Sequence, residues 1–313
     1  MSVLALAGGV GGAKLANGLA GVVPLGALTI AVNTGDDFVH MGLHISPDID
    51  SVTYALAGMN DSVRGWGVAD ESWAFMDATR RLGGESWFNL GDRDLATHVL
   101  RTALLREGTL SSVTADIAAR LGIGPMIVPM SDDPVRSMID TDQGEMAFQD
   151  YFVRHQCGPR FKSIRFDGAA AARPSAGLVA ALDDPALEAI ILCPSNPILS
   201  IDPILAVPGV RDRLVARRVP CVALSPFIAG QAVKGPAAKI MTELGLPTTP
   251  ATIARHYDGL IDGLMVDAAD AQGWSDDGLA VRSADILMRN VDQQRALAAQ
   301  MIDFAAALRR AVP

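Results

Sequence analysis

The apolar run Val3–Ala7 stops at Gly8-Gly9-Val10-Gly11-Gly12-Ala13-Lys14, and helical character then continues through Leu19. A short apolar run closed by glycines and followed at once by a helix reads as strand, turn and helix. A second run, Ala27–Val32, ends at Asn33-Thr34-Gly35-Asp36-Asp37. The two runs lack polar alternation, as expected of strands covered on both faces, and together they predict a βαβ unit of a parallel sheet.

Further along, apolar residues recur near the helical period over Ser51–Ala57, Glu71–Leu82, Asp94–Arg106 and Ser112–Leu121. Sheet-like runs return at Met126–Met130, Glu188–Cys193 and Val219–Leu224, and helices are expected at Ser175–Leu182, Pro236–Leu244 and from about Val291 to Ala311. Alternation on either side of Asp142-Gln143-Gly144 predicts a β-hairpin within Val135–Phe152, added to the main sheet. The expected fold is α/β: a Rossmann-like, mostly parallel sheet with helices on both faces, a helical insertion and the added hairpin. Residues 1–50 and 123–313 make up the core with its C-terminal helix, and residues 51–122 form a mainly helical insertion over the active-site cleft. With 313 residues, half of them hydrophobic, the chain is long enough to bury such a core.

A formal charge of −9 opposes broad nucleic-acid binding, which requires a basic surface. Small anionic ligands are the better expectation, and positive charge must then be concentrated locally. Of only four lysines, Lys14, Lys234 and Lys239 sit in glycine- or proline-punctuated segments. Cys157, Cys193 and Cys221 are an odd, widely spaced set, which suits buried thiols rather than disulfides or a CxxC metal site. The start of the chain lacks the charged region of a signal peptide, and no apolar run reaches membrane-spanning length, so a cytoplasmic protein is expected.

In an open parallel sheet, ligands gather beyond the C-terminal strand ends, where helix N-termini offer unpaired N–H groups to anions. Four polar loops fall there: 8–14, 33–37, 194–197 and 225–239. In the first, Gly9, Gly11 and Gly12 let backbone amides approach a phosphate, and Lys14 adds a point charge. The loop lacks the GK[ST] ending of a P-loop, and Lys14 stands where a dinucleotide fingerprint has its third glycine. A tight strand-to-helix turn without a ligand would also use glycines.

Asp36 and Asp37, followed by Asp48 and Asp50 in Ser46-Pro47-Asp48-Ile49-Asp50, have the spacing and chemistry for a hard divalent ion such as Mg²⁺. Asp50 is equally placed to cap a helix beginning at Ser51. Arg93, in Gly91-Asp92-Arg93-Asp94, is available to grip an anion, to stack on an aromatic ligand or to form an ordinary loop ion pair. Ser131-Asp132-Asp133-Pro134 has the composition of a turn. His40 and His44 lie four apart near the acidic residues, without the further partners zinc needs.

These segments, in this order, resemble the 2-phospho-L-lactate transferase (CofD) family of coenzyme F(420) biosynthesis: GGVGGAKL, NTGDD, SPDIDSV, RGWG at Arg64–Gly67, LGDRDLATH at Leu90–His98, PMSDDPVRS, FQDYFVR, PSNPILSI and SPFIAGQAVKGPAAK. The resemblance spans nearly the whole chain. It implies a Mg²⁺-dependent transfer to Fo (7,8-didemethyl-8-hydroxy-5-deazariboflavin). The donor is a guanosine diphosphate ester carrying a three-carbon acid: phospholactyl, phosphoenolpyruvyl or 3-phosphoglyceryl. The ribityl hydroxyl of Fo attacks the distal phosphorus, GMP leaves, and the product is F(420)-0 or an analogue. By the same resemblance, Asp50 and Arg93 match positions that contact Fo, and Asp48 and Asp50 are candidate catalytic residues. Asp36, Asp37, Asp48 and Asp50 are candidate metal ligands, while Ser195, Asn196 and Lys234 line the nucleotide and donor side. Neither a nucleic-acid nor a membrane partner is implied, and a homodimer is compatible. Two other classes fit the N-terminal unit: an NAD(P)-dependent Rossmann oxidoreductase, against which Lys14 speaks, and a non-catalytic nucleotide-binding regulator, against which the paired acidic loops speak.

Overall fold

A computed structural model describes residues 2–233, 235–271 and 278–311. Among them, seven strands form one parallel sheet: β1 (Ser2–Ala7), β2 (Leu28–Val32), β3 (Met126–Pro129), β4 (Leu187–Leu192), β5 (Cys221–Leu224), β6 (Gly263–Asp267) and β7 (Ala280–Ala284). Their spatial order is β7-β6-β5-β4-β1-β2-β3, with every neighbouring pair parallel. This is the doubly wound Rossmann order extended by one strand, and the direction of winding reverses between β1 and β4.

Both faces of the sheet are buried, which explains the continuous apolar runs. Leu4, Leu6, Ile190 and Leu192 pack into one core, while Val3, Ala5, Ala7 and Ile191 pack into the other. The second core is closed by α1 (Gly9–Ala20) and the last helix, Val291–Ala311, through Leu15, Leu19, Leu297 and Met301. The first is closed by shorter helices that contribute Leu178, Ile204, Leu214 and Ile240.

After β2 come a small antiparallel hairpin, Phe38–His40 with Leu43–Ile45, and α2 (Pro47–Leu56), which packs on α1. Next are α3 (Ala74–Arg81), α4 (Asp92–Leu104) and α5 (Leu110–Arg120). The expected helices are therefore present, but α2 begins at Pro47 rather than Ser51. Pro47 is pre-set for the first helical position, and Asp50 lies inside the first turn, its N–H donating to the Ser46 carbonyl at 2.9 Å.

The hairpin around Asp142-Gln143 is also present, with one correction: it does not extend the main sheet. Arg136–Thr141 pairs antiparallel with Gly144–Ala147 on one side and with Phe161–Asp167 on the other, making a separate three-stranded sheet. None of the described helices is long and apolar enough to cross a membrane.

Candidate active site

Because winding reverses between β1 and β4, the loops that leave these strands diverge and open a crevice. A cavity of about 510 Å³ occupies it. Its floor is Gly8–Gly11 and Lys14 from the β1–α1 connection, Asp36 after β2, and Asp48 at the start of α2. Pro194, Ser195 and Asn196 after β4 close one side, joined by Ser225 and Pro226 after β5.

The glycine turn is held by side chains as well as by its own geometry. The Ser195 hydroxyl accepts the Gly8 N–H at 2.9 Å and donates to the Gly8 carbonyl at 2.8 Å. A Cβ on Gly8 would stand 2.5 Å from Asp48 Oδ2, and one on Gly11 would stand 2.6 Å from the Pro194 carbonyl oxygen. Both glycines are thus required by close approach of neighbouring loops, before any ligand is considered.

Asp48 sits at the N-terminus of α1. Its Oδ1 accepts the Gly9 N–H at 2.7 Å and its Oδ2 accepts from Asn33 Nδ2 at 2.9 Å; Asn33 Oδ1 is fixed in turn by the Gly35 N–H at 2.7 Å. Burial nevertheless pushes the Asp48 carboxyl up to about 6, outweighing the lowering effect of the Asn33 and Gly9 bonds. Asp36 is also buried, and its Oδ1 has no hydrogen-bond partner among the described residues. Burial first, and then the Asp48 charge, hold its carboxyl well above the ordinary value.

Two desolvated carboxylates that repel each other, one with an orphaned oxygen, make a donor set suited to a hard cation that completes its shell with substrate oxygens. Asp50 does not line this cavity, whereas the charge of the adjacent Asp37 reaches both carboxyls and helps to raise them; no three His, Cys, Asp or Glu side chains converge as a metal site among the described residues. Asp37 Oδ2 accepts from the Ser46 hydroxyl at 2.8 Å and lies 3.2 Å from His44 Nε2, while its buried Oδ1 has no hydrogen-bond partner among the described residues. Asp50 is paired through both carboxylate oxygens with the Arg101 guanidinium, with His98 Nδ1 3.7 Å away. The DxD spacing misleads because it falls on a helix, where residues two apart point to nearly opposite sides.

Among the remaining candidates, Gly9, Gly11, Lys14, Ser195 and Asn196 line the cavity, and Gly12 packs behind it against Ser195. Lys14 Nζ donates to the Met288 carbonyl at 2.9 Å. Asn196 Oδ1 caps the following turn through the N–H groups of Ile198 and Leu199, and its buried Nδ2 is a donor without a partner among the described residues. Arg93 is exposed, away from the cavity lining, with Nη1 donating to the Ala69 carbonyl at 3.2 Å. Lys234 lies outside the described residues.

What sequence reasoning did not find is the aromatic part of the cavity wall. Phe148 and Phe152 stack 5.4 Å apart, and Phe88 and Trp66 extend the wall across segment 51–122. Aromatics make up only 5% of the chain, so several on one cavity is a concentration that spacing alone does not reveal.

Fold and site together define a doubly wound α/β protein with a cavity at its topological switch point. The family model for 2-phospho-L-lactate transferase CofD matches residues 3–301, and the chain belongs to that family. It is 39% identical over 319 residues to a phosphoenolpyruvate transferase of Streptomyces griseus subsp. griseus, covering 99% of this chain and 100% of the relative. It is 36% identical over 300 residues to a 2-phospho-L-lactate transferase of Methanosarcina acetivorans, covering 95% and 96%. Among solved structures, a UPF0052-family protein from Bacillus halodurans matches with a TM-score of 0.59 at 14% identity, covering 96% of this chain and 98% of the other, a likeness of fold.

Proposed function

We propose that this transferase moves a phosphorylated three-carbon acid from a guanosine diphosphate ester to the ribityl hydroxyl of Fo, releasing GMP. Phosphoenolpyruvate is the favoured acid, because the relative of that name is similar over its full length. The observation that carries the reading is the buried Asp48–Asp36 pair at the N-terminus of α1, on the floor of a cavity large enough for a nucleotide ester.

The chemistry is substitution at phosphorus. The ribityl oxygen forms a bond to the distal phosphorus, the bond from that phosphorus to the bridging oxygen breaks, GMP leaves with the bridging oxygen, and the hydroxyl proton passes to solvent. Little covalent work falls to the protein, so positioning and electrostatics dominate. The N–H groups of the first turn of α1 after Gly9, whose own N–H is held by Asp48, and Asn196 Nδ2 orient phosphate oxygens. Asp36 and Asp48 would hold a Mg²⁺, which when bound neutralises charge on the diphosphate. The aromatic wall excludes water from the side where a planar acceptor lies.

The test is incubation of the protein with Mg²⁺, Fo and each of the three guanosine diphospho-acids in turn. GMP release that requires Fo and stops on chelation supports the proposal. Release without Fo, or none with any donor, overturns it.

A further inference from the structure

Arg64 has no assigned part in the reaction, yet it is built into the cavity wall. It lies on a loop closed by the Ala69 N–H donating to the Met59 carbonyl at 2.7 Å and by an antiparallel bridge between Asn60 and Val68. Asp61 Oδ1 accepts the N–H groups of Val63 and Arg64, both at 2.8 Å. The Arg64 guanidinium is immobilised in turn: Nη2 pairs with Asp61 Oδ2 at 2.9 Å and donates to the Val68 carbonyl at 2.7 Å. Its central carbon stands 4.9 Å from the Trp73 ring centre and 5.4 Å from that of Trp66.

An arginine built to capture an anion would keep its charge available, but here Asp61 already neutralises it. What remains is Nε–H, buried and without a hydrogen-bond partner among the described residues, beside the Trp66 indole, which is 46% exposed and lines the cavity. A flat aromatic face next to one desolvated donor matches a planar fused heterocycle that bears a ring carbonyl: the ring stacks on the indole and the carbonyl accepts from Nε. We propose that Arg64 and Trp66 together form a ring-holding site of the cavity. Two rings in the proposed reaction have this chemistry, the deazaflavin of the acceptor and the guanine of the donor, and the inference rests on that reading for their names.

The test is equilibrium titration of wild type, Trp66→Leu and Arg64→Met with three probes: Fo, GDP and inorganic pyrophosphate. Trp66→Leu leaves the Asp61 and Val68 bonds in place and so guards against mere collapse of the loop. Both variants are expected to weaken the same ring ligand, Fo or GDP, by about tenfold or more, with pyrophosphate unchanged; the ligand affected identifies the ring. Unchanged affinities for both rings overturn the inference, as does weakening of Fo and GDP alike, and a loss for pyrophosphate would make the site an anion clamp instead. Wild type that binds neither ring defeats the functional proposal as well, whereas normal turnover with variant affinities unchanged defeats this inference alone.

Discussion

At the scale of single residues, the site works against its own stability. Asp48 has an ordinary value of 3.8 and a folded value of about 6, so the folded state binds its proton more tightly than the unfolded chain does. A raised folded value means that the contribution to stability is full below pH 3.8 and lost as pH rises through about 6. Asp36 shifts in the same direction. The ligand-free protein is therefore expected to lose stability as pH rises from about 4 to about 6 relative to Asp48→Asn, whose neutral amide keeps an acceptor for the Gly9 N–H. Parallel urea titrations of the two proteins across that range check this; equal pH dependence would show that Asp48 does not carry the shift. Gly11 offers a second check. An alanine there forces its Cβ against the Pro194 carbonyl oxygen at 2.6 Å, and because backbone cannot swing aside, a loss of about 1–3 kcal/mol is expected in the same unfolding measurement.

At the scale of elements, α2 sends two aspartates on two errands. Asp48 faces the glycine turn, while Asp50 reaches across to α4 and the buried Arg101. On α4, Asp94 Oδ1 accepts from the Tyr54 hydroxyl of α2 at 2.6 Å, so the two helices are joined by a buried polar network. Arg101→Met would strand the Asp50 charge in the interior and is expected to cost about 3–5 kcal/mol, with much of the loss restored in the double variant Asp50→Asn/Arg101→Met. A double-mutant cycle by chemical denaturation measures the coupling. A strictly additive pair would mean that the two side chains do not depend on each other. The sequence shows the acidic pair plainly but not its division of labour. That division depends on the pair falling on a helix and on a partner 51 positions away. Strand legibility follows burial. β1, β2, β4 and β5 are apolar on both faces and stand out as runs, whereas β7, with sequence AVRSA, is an edge strand with exposed polar residues and carries no such signal. β6 is fully buried, yet its sequence GLMVD opens on glycine and closes on aspartate, so only three apolar residues stand together to mark it.

At the scale of the whole molecule, the strand order accounts for where the chemistry sits. The glycine turn, both cavity carboxylates and the Pro194–Asn196 loop all leave the C-terminal side of the sheet around the β1/β4 reversal, although they are far apart in sequence. That convergence was legible in outline from four polar loops following apolar runs. The aromatic wall was not, because Trp66, Phe88, Phe148 and Phe152 come from segments outside the main sheet, and their meeting depends on how those segments fold over the crevice. The most direct measurement compares single-turnover conversion of Fo by wild type and Asp48→Asn in the presence of Mg²⁺ and the phosphoenolpyruvyl donor. Mass analysis reads the product, and GDP binding serves as the control for folding. The expected result is conversion of Fo to a heavier, more acidic deazaflavin by wild type, with the variant slowed by about 100-fold or more while still binding GDP. Wild-type conversion in Asp48→Asn would contradict the assignment of transfer chemistry to this cavity.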